Sequence, residues 1–589
     1  MNPELLLTHF NRISKSPEAV PSLRKFILEL AVRGKLVEQD SAEEPASELM
    51  KTIQAEKARF VREGEIKKLE SFEPVTANDV PFPIPRSWEV IRMGWLARKL
   101  GAGSTPLGGK SVYQEEGVPF LRSQNVYDDG LRLDDVALIS RATHDKMCGT
   151  HIRQNDILLN ITGASIGRCS LVPATFAEGN VSQHVAIIRL FLPAIREFIH
   201  MSLISPFFQQ VIDDVQVGVS REGLSMQRLR LFPMLLPPLA EQHRIVTRVN
   251  ELMALCDRLE RAFKEQEDRR DRLATASFHH LNNGANSADF RSYARFHLNH
   301  LPRLITRTEH ISEFRRTVIN LAVRGKLVPQ DSSDVPVSEL LGRIQTEKAD
   351  LIGVHAQERE FRESRLSNEN IPFDLPSSWQ WEPLQSVIVF GPQNGISPKP
   401  SSRSDAPRAV TLTATTKGTF DSRYFKQVDA TIPQDSEFWL RPGDLLFQRG
   451  NTREYVGMAA YYSGEPGLFL YPDLMIKVRL SEEVSLRYVH LCALAPHARS
   501  YFSTHASGAQ STMPKINQGV LVKLPIPLAP FSEQNRIVAK VDELMALCNQ
   551  LEAQLTTTQS ENRSLLEAVL FHALNDSPHE NDKNFAIKA

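Results

Sequence analysis

The feature of this chain that most constrains its fold is a long internal repeat. The octapeptide Leu-Ala-Val-Arg-Gly-Lys-Leu-Val at residues 30–37 returns unchanged at residues 321–328, and Trp88 returns as Trp379 at the same spacing of 291 positions. Solenoid proteins repeat every 20 to 50 residues or so, and this period is far longer. We therefore predict a duplicated pair of domains related by an internal pseudo-twofold axis.

Two segments are patterned as long helices. The halves lose their likeness after the tryptophans, and it returns one position out of step where Glu241-Gln242 becomes Glu533-Gln534. After each pair, apolar residues alternate at spacings of four and three, which is a heptad seam. The two seams are Ile245, Val249, Leu252, Cys256, Leu259 and Phe263, and Ile537, Val541, Leu544, Cys548, Leu551 and Leu555. A helix that packs only on its own domain would show the same pattern, but two equivalent seams favour an antiparallel coiled coil.

The sequence between the repeated segments predicts two mixed α/β domains. Short runs rich in β-branched residues, such as 185–190 and 475–480, alternate with turn residues. The predicted division is an N-terminal helical segment at 1–88, a first insert domain at 89–235, a central long helix at 236–280, a linker and second helical segment at 281–379, a second insert domain at 380–526, and a C-terminal long helix and tail at 527–589. Helices are also predicted at 20–36 and 46–68, and in their copies from Ile311 and Val337.

The inserts share a faint scaffold and differ in their loops. Residues 155–159 parallel 443–447, yet the following loops are Asn-Ile-Thr-Gly-Ala-Ser at 160–165 and Gln-Arg-Gly-Asn-Thr-Arg-Glu-Tyr at 448–455. Function in proteins is often carried by loops on a rigid scaffold. This combination is what two readers of different sequences would need.

Composition excludes several classes. Lys plus Arg is 69 against Asp plus Glu 70, so the chain as a whole does not attract polyanions and a nucleic-acid surface must be local. The N-terminus does not resemble a signal peptide and no long apolar run is present, so we expect a cytoplasmic protein with no membrane association. The five cysteines include no Cys-x-x-Cys pair, which argues against disulfides and zinc.

Catalytic and nucleotide-binding motifs are not found in the sequence. The stretch 103–111 looks like a phosphate-binding loop, but Ser104 stands where the G-x-x-x-x-G-K-[ST] motif requires glycine. No Asn-Pro-Pro-Tyr or Asp-Pro-Pro-Tyr box for adenine methylation is found. His297, His300 and His310 lack carboxylate or cysteine partners in the sequence, so we expect solvated linker histidines, with a metal site as the minority alternative.

Taken together, these residues resemble a known family, the specificity subunits of Type I restriction-modification systems, and the long helical segments resemble its larger branch. The likeness covers almost the whole chain. It rests on the proline-rich closure of each insert at 237–242 and 530–534, on 104–106 leading to 117–123, and on 161–167 and 182–185.

The resemblance implies that the inserts are target-recognition domains and that the chain is not an enzyme. Such subunits read a bipartite, asymmetric site in double-stranded DNA. They scaffold two methyltransferase subunits, which carry S-adenosylmethionine, and two motor-nuclease subunits, which use ATP and magnesium; the chain itself would bind no cofactor or metal. Two alternatives are a single-chain restriction-methylation enzyme, which would need the missing motifs, and a coiled-coil scaffold, which would not need variable polar loops.

Base recognition requires side chains with paired donors and acceptors, such as Arg for guanine and Asn or Gln for adenine. An exposed arginine can equally be a solvated charge, and the sequence does not separate base contacts from phosphate contacts. The candidate DNA-binding residues are Arg122, Ser123, Gln124, Asn125, Thr162, Ser165, Gln183, His184, Ser220 and Arg221 in the first insert, and Asn394, Arg449, Asn451, Arg453, Gln510, Ser511 and Lys515 in the second.

Overall fold

The chain forms two compact units, each with one insert domain. A computed structural model describes residues 16–66, 72–76, 78–216, 223–283, 287–354, 371–508, 513–575 and 585–586. The first unit contains residues 1–266 and 559–589, and the second contains residues 267–558. The mixed helix and strand content, the two insert domains and the long helices confirm the predicted fold class.

The first unit joins a helical frame to the first insert. Its helices are α1 (Ala19–Val32), α2 (Ala46–Arg62), α3 (Met93–Leu96), α4 (Arg141–Lys146), α5 (Arg196–Leu203), α6 (Pro206–Gln216), α7 (Met226–Arg230) and the first part of α8 (Leu239–Asn283). Its strands are β1 (Ile84–Pro85), β2 (Glu89–Arg92), β3 (Ala97–Ala102), β4 (Tyr113–Gln114), β5 (Val118–Leu121), β6 (Val126–Tyr127), β7 (Gly130–Leu131), β8 (Ala137–Ile139), β9 (His151–Ile152), β10 (Ile157–Asn160), β11 (Cys169–Leu171), β12 (Gly179–Val181), β13 (Val185–Leu190) and β14 (Pro233–Leu236).

Two sheets build the first insert. One is antiparallel in the order β11-β10-β13-β3, and the other runs β4-β8-β5-β12-β9 with β5 and β12 parallel. Every residue of β10 is buried, as expected for a central strand covered on both faces. Strand β14 pairs with β2, so the insert begins and ends at the same place. Because the two ends of the insert are paired, different inserts can be attached to the same helical frame.

The second unit repeats this plan. Its helices are α9 (Ser287–Leu304), α10 (Thr308–Val323), α11 (Val337–Val354), α12 (Leu486–Leu494), α13 (Pro496–His505), α14 (Gln518–Val522) and the first part of α15 (Phe531–Asn575). Its strands are β15 (Gln380–Pro383), β16 (Ile388–Asn394), β17 (Arg408–Val410), β18 (Phe425–Gln427), β19 (Leu445–Gln448), β20 (Ala459–Tyr461), β21 (Met475–Leu480) and β22 (Pro525–Leu528). A short strand β23 (Phe585–Ala586) belongs to the first unit, where it pairs with β1. The order β16-β21-β19-β20 matches β3-β13-β10-β11, and β22 pairs with β15 as β14 does with β2.

The seam of each long helix packs against the preceding frame helix of its own unit. Arg24 of α1 bonds Asp257 and Glu260 of α8, and Arg315 of α10 bonds Asn549 and Glu552 of α15. The seam residues lie in the same apolar cores as α1 and α10. The heptad pattern alone does not specify which helix packs against the seam.

Both long helices cross the boundary between the units. Each has 45 residues, and the boundary falls after residue 266 in α8 and after residue 558 in α15. The last part of α8 brings Phe278 against Phe314 of α10, and the last part of α15 packs Leu566 and Val569 on Ala19 of α1. Each unit thus holds the first part of one long helix and the last part of the other.

The expectation of solvated linker histidines was wrong for His297. Helix α9 occupies part of the predicted linker and leaves His297 only 1% exposed between the rings of Phe278 and Phe314. Its Nδ1 lies 2.7 Å from the Ser277 hydroxyl, and burial lowers the pKa of His297 to about 4. His310 is also buried and bonds Asp271 at 3.0 Å. Within the described ranges, His, Cys, Asp and Glu do not form a group of three or more suited to a metal ion.

Among the helices that the structure describes, none combines the length with the apolar composition needed to cross a membrane.

Candidate nucleic-acid interface

Three predicted loops meet at one edge of the first insert. Strand β5 ends at Leu121, β10 ends at Asn160 and β13 starts at Val185, and Asn160 pairs with Val185 across the sheet. The amide of Ser182 donates to the carbonyl of Leu121 at 2.9 Å, and the amide of Ile161 donates to the carbonyl of His184 at 3.0 Å. The loops at 122–125, 161–167 and 182–184 therefore form one surface.

The loop at 122–125 divides into exposed and supporting residues. Gln124 is exposed, whereas Arg122 is half-buried and holds its guanidinium 5.6 Å from the centre of the Tyr113 ring. Asn125 is only 2% exposed; its Oδ1 accepts from the Arg122 amide at 3.0 Å and its Nδ2 donates to the Arg132 carbonyl at 2.9 Å. The side chain of Asn125 thus supports the turn, while Gln124 faces solvent.

The other two loops of this edge touch each other through side chains. Thr162 Oγ1 lies 2.5 Å from Nδ1 of His184, and Gln183 beside it is exposed. Ser165 is half-buried and accepts a hydrogen bond from Asn160. Ser220 and Arg221 lie outside the described residues.

The second insert has an equivalent edge. Strands β16 and β19 end on either side of the start of β21, where the Gly395 amide donates to Met475 and the Arg449 amide donates to Leu474. The amide of Ile516 donates to the Arg449 carbonyl at 2.8 Å. Asn394, Arg449 and Lys515 are therefore brought to one edge.

Side chains at this second edge differ in their exposure and in their hydrogen bonds. Lys515 is exposed, and the half-buried Arg449 donates to the Asp473 carbonyl at 3.4 Å. Asn451 donates to Gln448 Oε1 at 2.6 Å. Arg453 is exposed and donates to the carbonyl of Ser503 in α13 at 3.1 Å.

Two further predicted residues cannot be placed. Gln510 and Ser511 lie outside the described residues.

Comparison with known proteins assigns the family. Residues 85–267 and 377–558 match the sequence model of the Type I restriction modification DNA specificity domain. The chain belongs to this family. It is 28% identical over 570 residues to the Type I restriction enzyme EcoEI specificity subunit and 29% identical over 578 residues to the EcoAI specificity subunit, both from Escherichia coli, with 94% of each chain covered in both cases.

A solved structure also matches. The HsdS subunit from Thermoanaerobacter tengcongensis is 16% identical, and the match covers 84% of this chain and 99% of that chain with a TM-score of 0.41.

Each specificity domain comprises an insert and the first part of the following long helix. The matches begin near β2 and β15 and end at residues 267 and 558, close to the boundaries between the compact units. Helices α1, α2, α10 and α11 lie outside the matched ranges.

One loop of the second specificity domain escaped the sequence analysis. A turn at Leu412–Thr415 follows β17 as the turn at Ser123–Asn125 follows β5, and Thr413 and Lys417 are exposed there. The two loops share no residue that could have revealed their equivalence.

The first specificity domain also presents an apolar side chain that the sequence analysis passed over. Leu107 follows β3 in the stretch first compared with a phosphate loop, and it is 99% exposed. The preceding Ser104 amide donates to the Val181 carbonyl at 3.1 Å, which places this loop at the same edge as the others.

A buried ion pair lies behind each edge. Arg189 donates two hydrogen bonds of 2.7 Å to Asp156, and Arg479 donates one of 2.6 Å to Asp444; both aspartates are fully buried. In the second specificity domain Lys477 joins the pair, and burial lowers the pKa of Lys477. A buried charge requires a partner, so these pairs belong to the shared scaffold rather than to the variable surface.

Proposed function

We propose that this chain is the DNA sequence-specificity subunit of a Type I restriction-modification complex and that each specificity domain reads one half of a bipartite, asymmetric DNA site. The observation that carries this proposal is that the two specificity domains share one strand scaffold but present different loops at the equivalent edge. The sheets β3-β13-β10-β11 and β16-β21-β19-β20 share their strand order, while the polar loops at the same edge differ in residues and in length. Two readers of different half-sites require this combination.

The edges offer the groups that base recognition needs. Arg449 can present two donors to guanine, and Gln183 or Gln124 can present a donor and an acceptor to adenine. Leu107 offers an apolar contact for the methyl group of thymine. Exposed cations such as Lys515 and Lys417 suit phosphate oxygens, which hold the protein in register on the duplex. Buried residues such as Asn125 would act on the DNA only through the loops that they support.

The partners that we propose are those expected of a Type I specificity subunit. The chain would scaffold two methyltransferase subunits and two motor-nuclease subunits in the cytoplasm, and S-adenosylmethionine, ATP and magnesium would be bound by those partners. This assignment is supported by the names of the relatives, which are specificity subunits of Type I restriction enzymes. The frame helices outside the specificity domains are the natural place for such contacts, because they occur in both halves of the chain and a repeated surface suits a pair of identical partners.

An exchange of one insert tests the proposal. Residues 89–235 are replaced by the corresponding insert of the EcoEI relative, the chain is assembled with its methyltransferase partner, and methylated adenines are mapped on genomic DNA. We expect one half of the modified site to change and the other half to stay. A change of both halves, or of neither in an assembled complex, would contradict the assignment of one half-site to each domain.

Activity of the isolated chain separates the alternatives. A single-chain restriction-methylation enzyme would methylate or cleave DNA by itself, whereas we expect the purified chain to do neither and to hydrolyse no ATP. A coiled-coil scaffold would leave the modified site unchanged after the exchange.

A further inference from the structure

One buried amide occupies the same position in both specificity domains. Asn160 is the last residue of β10 and Gln448 is the last residue of β19, and both side chains are fully buried. They pair with Val185 and Met475, the first residues of β13 and β21. Each therefore stands where the shared scaffold ends and the divergent loops begin.

The backbone of Asn160, and that of Gln448, bonds the residues at the far end of the divergent loop that follows it. The amide of Asn160 donates to the Arg168 carbonyl at 2.8 Å and its carbonyl accepts from Gly167 at 2.9 Å. The amide of Gln448 donates to Met458 at 2.9 Å and its carbonyl accepts from Gly457 at 2.7 Å. The enclosed loop is two residues longer in the second domain, yet the two backbone hydrogen bonds at its base are the same.

In the first domain the side-chain amide of Asn160 ties two loops together. Its Nδ2 donates to the Ser123 carbonyl at 2.8 Å and to the Ser165 hydroxyl at 3.1 Å. Both hydrogens of the amide are thereby used, one on the loop after β5 and one on the loop after β10.

Gln448 makes the corresponding tie in the second domain. Its Nε2 donates to the Leu412 carbonyl at 2.8 Å and to the Thr415 hydroxyl at 2.9 Å, and its Oε1 accepts from Asn451 at 2.6 Å. The loop after β17 is thus joined to the loop after β19 by a longer side chain, and the two ties use different partners.

We infer that Asn160 and Gln448 are positioning residues for DNA reading, each of which holds two reading loops of its domain as one rigid surface. This inference rests on the proposed function. A hydrogen bond between a base and a side chain is selective only when its donor is held in place, because a mobile loop can adapt to a wrong base. Neither amide can reach DNA itself, since both are fully buried. Their effect on selectivity must pass through the loops and must be confined to one half-site each.

The substitutions Asn160→Asp and Gln448→Glu test the inference with almost no change of shape. A carboxylate cannot donate to the Ser123 or Leu412 carbonyl, whereas the hydroxyls of Ser165 and Thr415 can turn and donate to it. Asn160→Asp therefore breaks the tie between the loops after β5 and β10. Gln448→Glu loses the bond to the Leu412 carbonyl and only weakens its tie, because the hydroxyls of Thr415 and Thr416 can still donate to the carboxylate. Asn155→Asp is the control for the added charge, because it places a carboxylate at the opposite end of β10, at a half-buried residue two positions before the strand's first residue.

The readout is the ratio of methylation rates on the preferred duplex and on duplexes with one base pair changed in either half-site. It is measured with the chain assembled with its methyltransferase partner. With Asn160→Asp we expect this ratio to fall about tenfold for changes in the first half-site, the effect of roughly one lost hydrogen bond, and to stay unchanged for the second half-site. Gln448→Glu should give the reverse pattern with a smaller fall, because its tie is only weakened, and Asn155→Asp should change neither ratio. Equal loss at both half-sites, or unchanged ratios in assembled variants, would overturn the inference.

A second variant covers the case in which a buried carboxylate prevents folding. Gln448→Met removes the side-chain amide of Gln448, and with it the bonds to Leu412, Thr415 and Asn451, without adding charge and with a side chain of similar length. We expect the ratio to fall about tenfold for changes in the second half-site only; no fall would overturn the inference for Gln448. A wild-type complex without preference at either half-site would refute the proposed function instead, which separates the two failures.

Discussion

The indole Nε1 of Trp88 donates a hydrogen bond to the carboxylate of Glu241 at 3.0 Å, and Trp379 makes the same bond to Glu533 at the same distance. The second carboxylate oxygen of Glu241 accepts from Gln39 at 2.6 Å, as that of Glu533 does from Gln330. These bonds join the last residues before each insert to the first turn of the long helix that follows it. Burial raises the pKa of both Glu241 and Glu533, so each carboxylate depends on these donors when it is ionised.

Loss of the indole donor should destabilise one unit at a time. Trp88→Phe keeps an aromatic ring in the core but removes a donor from a buried carboxylate, which should lower the free energy of unfolding by about 1–3 kcal/mol. Trp379→Phe should have a similar effect in the second unit, and the two effects should add because the pairs share no partner. Urea unfolding followed by circular dichroism measures this; wild-type stability in both single variants would show that the bonds contribute nothing.

The elements of the shared scaffold could be predicted because their residues are buried on both faces. The runs at 157–160 and 475–480 are apolar enough to stand out in the sequence, and the heptads of the long helices are regular over many turns. The partner of each seam could not be predicted, since an apolar stripe does not specify which helix covers it. In this fold α1 and α10 cover the seams. Arg24 of α1 and Arg315 of α10 form ion pairs with the long helices that they cover.

The reading edge was harder to predict because its supporting residues act through tertiary contacts. Asn125 looks like an adenine reader in the sequence, but the turn that it caps turns its amide inward. The loop at 411–417 has no sequence likeness to its counterpart at 122–125, so only the equivalent placement of β17 and β5 reveals it. His297 looked solvated because helix α9, which buries it, was taken as linker.

Two lysines, the buried Lys57 and the half-buried Lys348, should give the stability of the chain a characteristic dependence on alkaline pH. The amine of Lys57 donates to the Trp95 carbonyl at 3.0 Å and that of Lys348 to the Gln385 and Ser386 carbonyls, and burial lowers the pKa of both amines from 10.5 to about 8. Between these two values the unfolded chain binds more protons than the folded chain, so the contribution of these lysines to stability rises with pH.

The variant Lys57→Met with Lys348→Met isolates this contribution. We expect the difference in urea midpoint between the wild type and the double variant to shift in favour of the wild type as the pH rises from about 8 to about 10. Other groups titrate in both proteins and cancel in the difference. A difference that does not vary over this range would show that the two amines keep their ordinary pKa.

Arg449 and Arg453 should play different roles although one loop carries both. The backbone of Arg449 is held by Leu474 and Ile516, whereas Arg453 is exposed and leans on α13. Arg449→Ala should cost about 1–3 kcal/mol of discrimination at one base pair of the second half-site, as expected for a bidentate guanine contact. Arg453→Ala should weaken binding to all sequences alike and flatten the salt dependence, as a lost phosphate contact does. Gel shifts over single-substitution duplexes and a salt series distinguish these; uniform weakening by Arg449→Ala would make it a phosphate contact as well.

The long helices should set the spacing between the two half-sites. Duplicating residues 260–266 in α8 and 552–558 in α15 adds one heptad to each helix just before the boundary between the compact units. The duplicated segments begin with Glu260 and Glu552, so the ion pairs to Arg24 and Arg315 are preserved, and the heptad keeps every seam in phase. Each helix gains roughly 10 Å at about 1.5 Å per residue.

This added length corresponds to about three base pairs at roughly 3.4 Å each. The preferred spacer should therefore grow by about three base pairs, and methylation assays over a series of spacer lengths would measure it. Three base pairs also rotate one half-site by about 100° relative to the other, at roughly 10.5 base pairs per turn. Weak methylation of every spacer is thus the second outcome that a rigid helical ruler permits. A heptad added to α8 alone is the control, because it mismatches the two helices and should abolish activity on all spacers. If the variant with both insertions keeps the original spacer at the original rate, the helices do not determine the spacing.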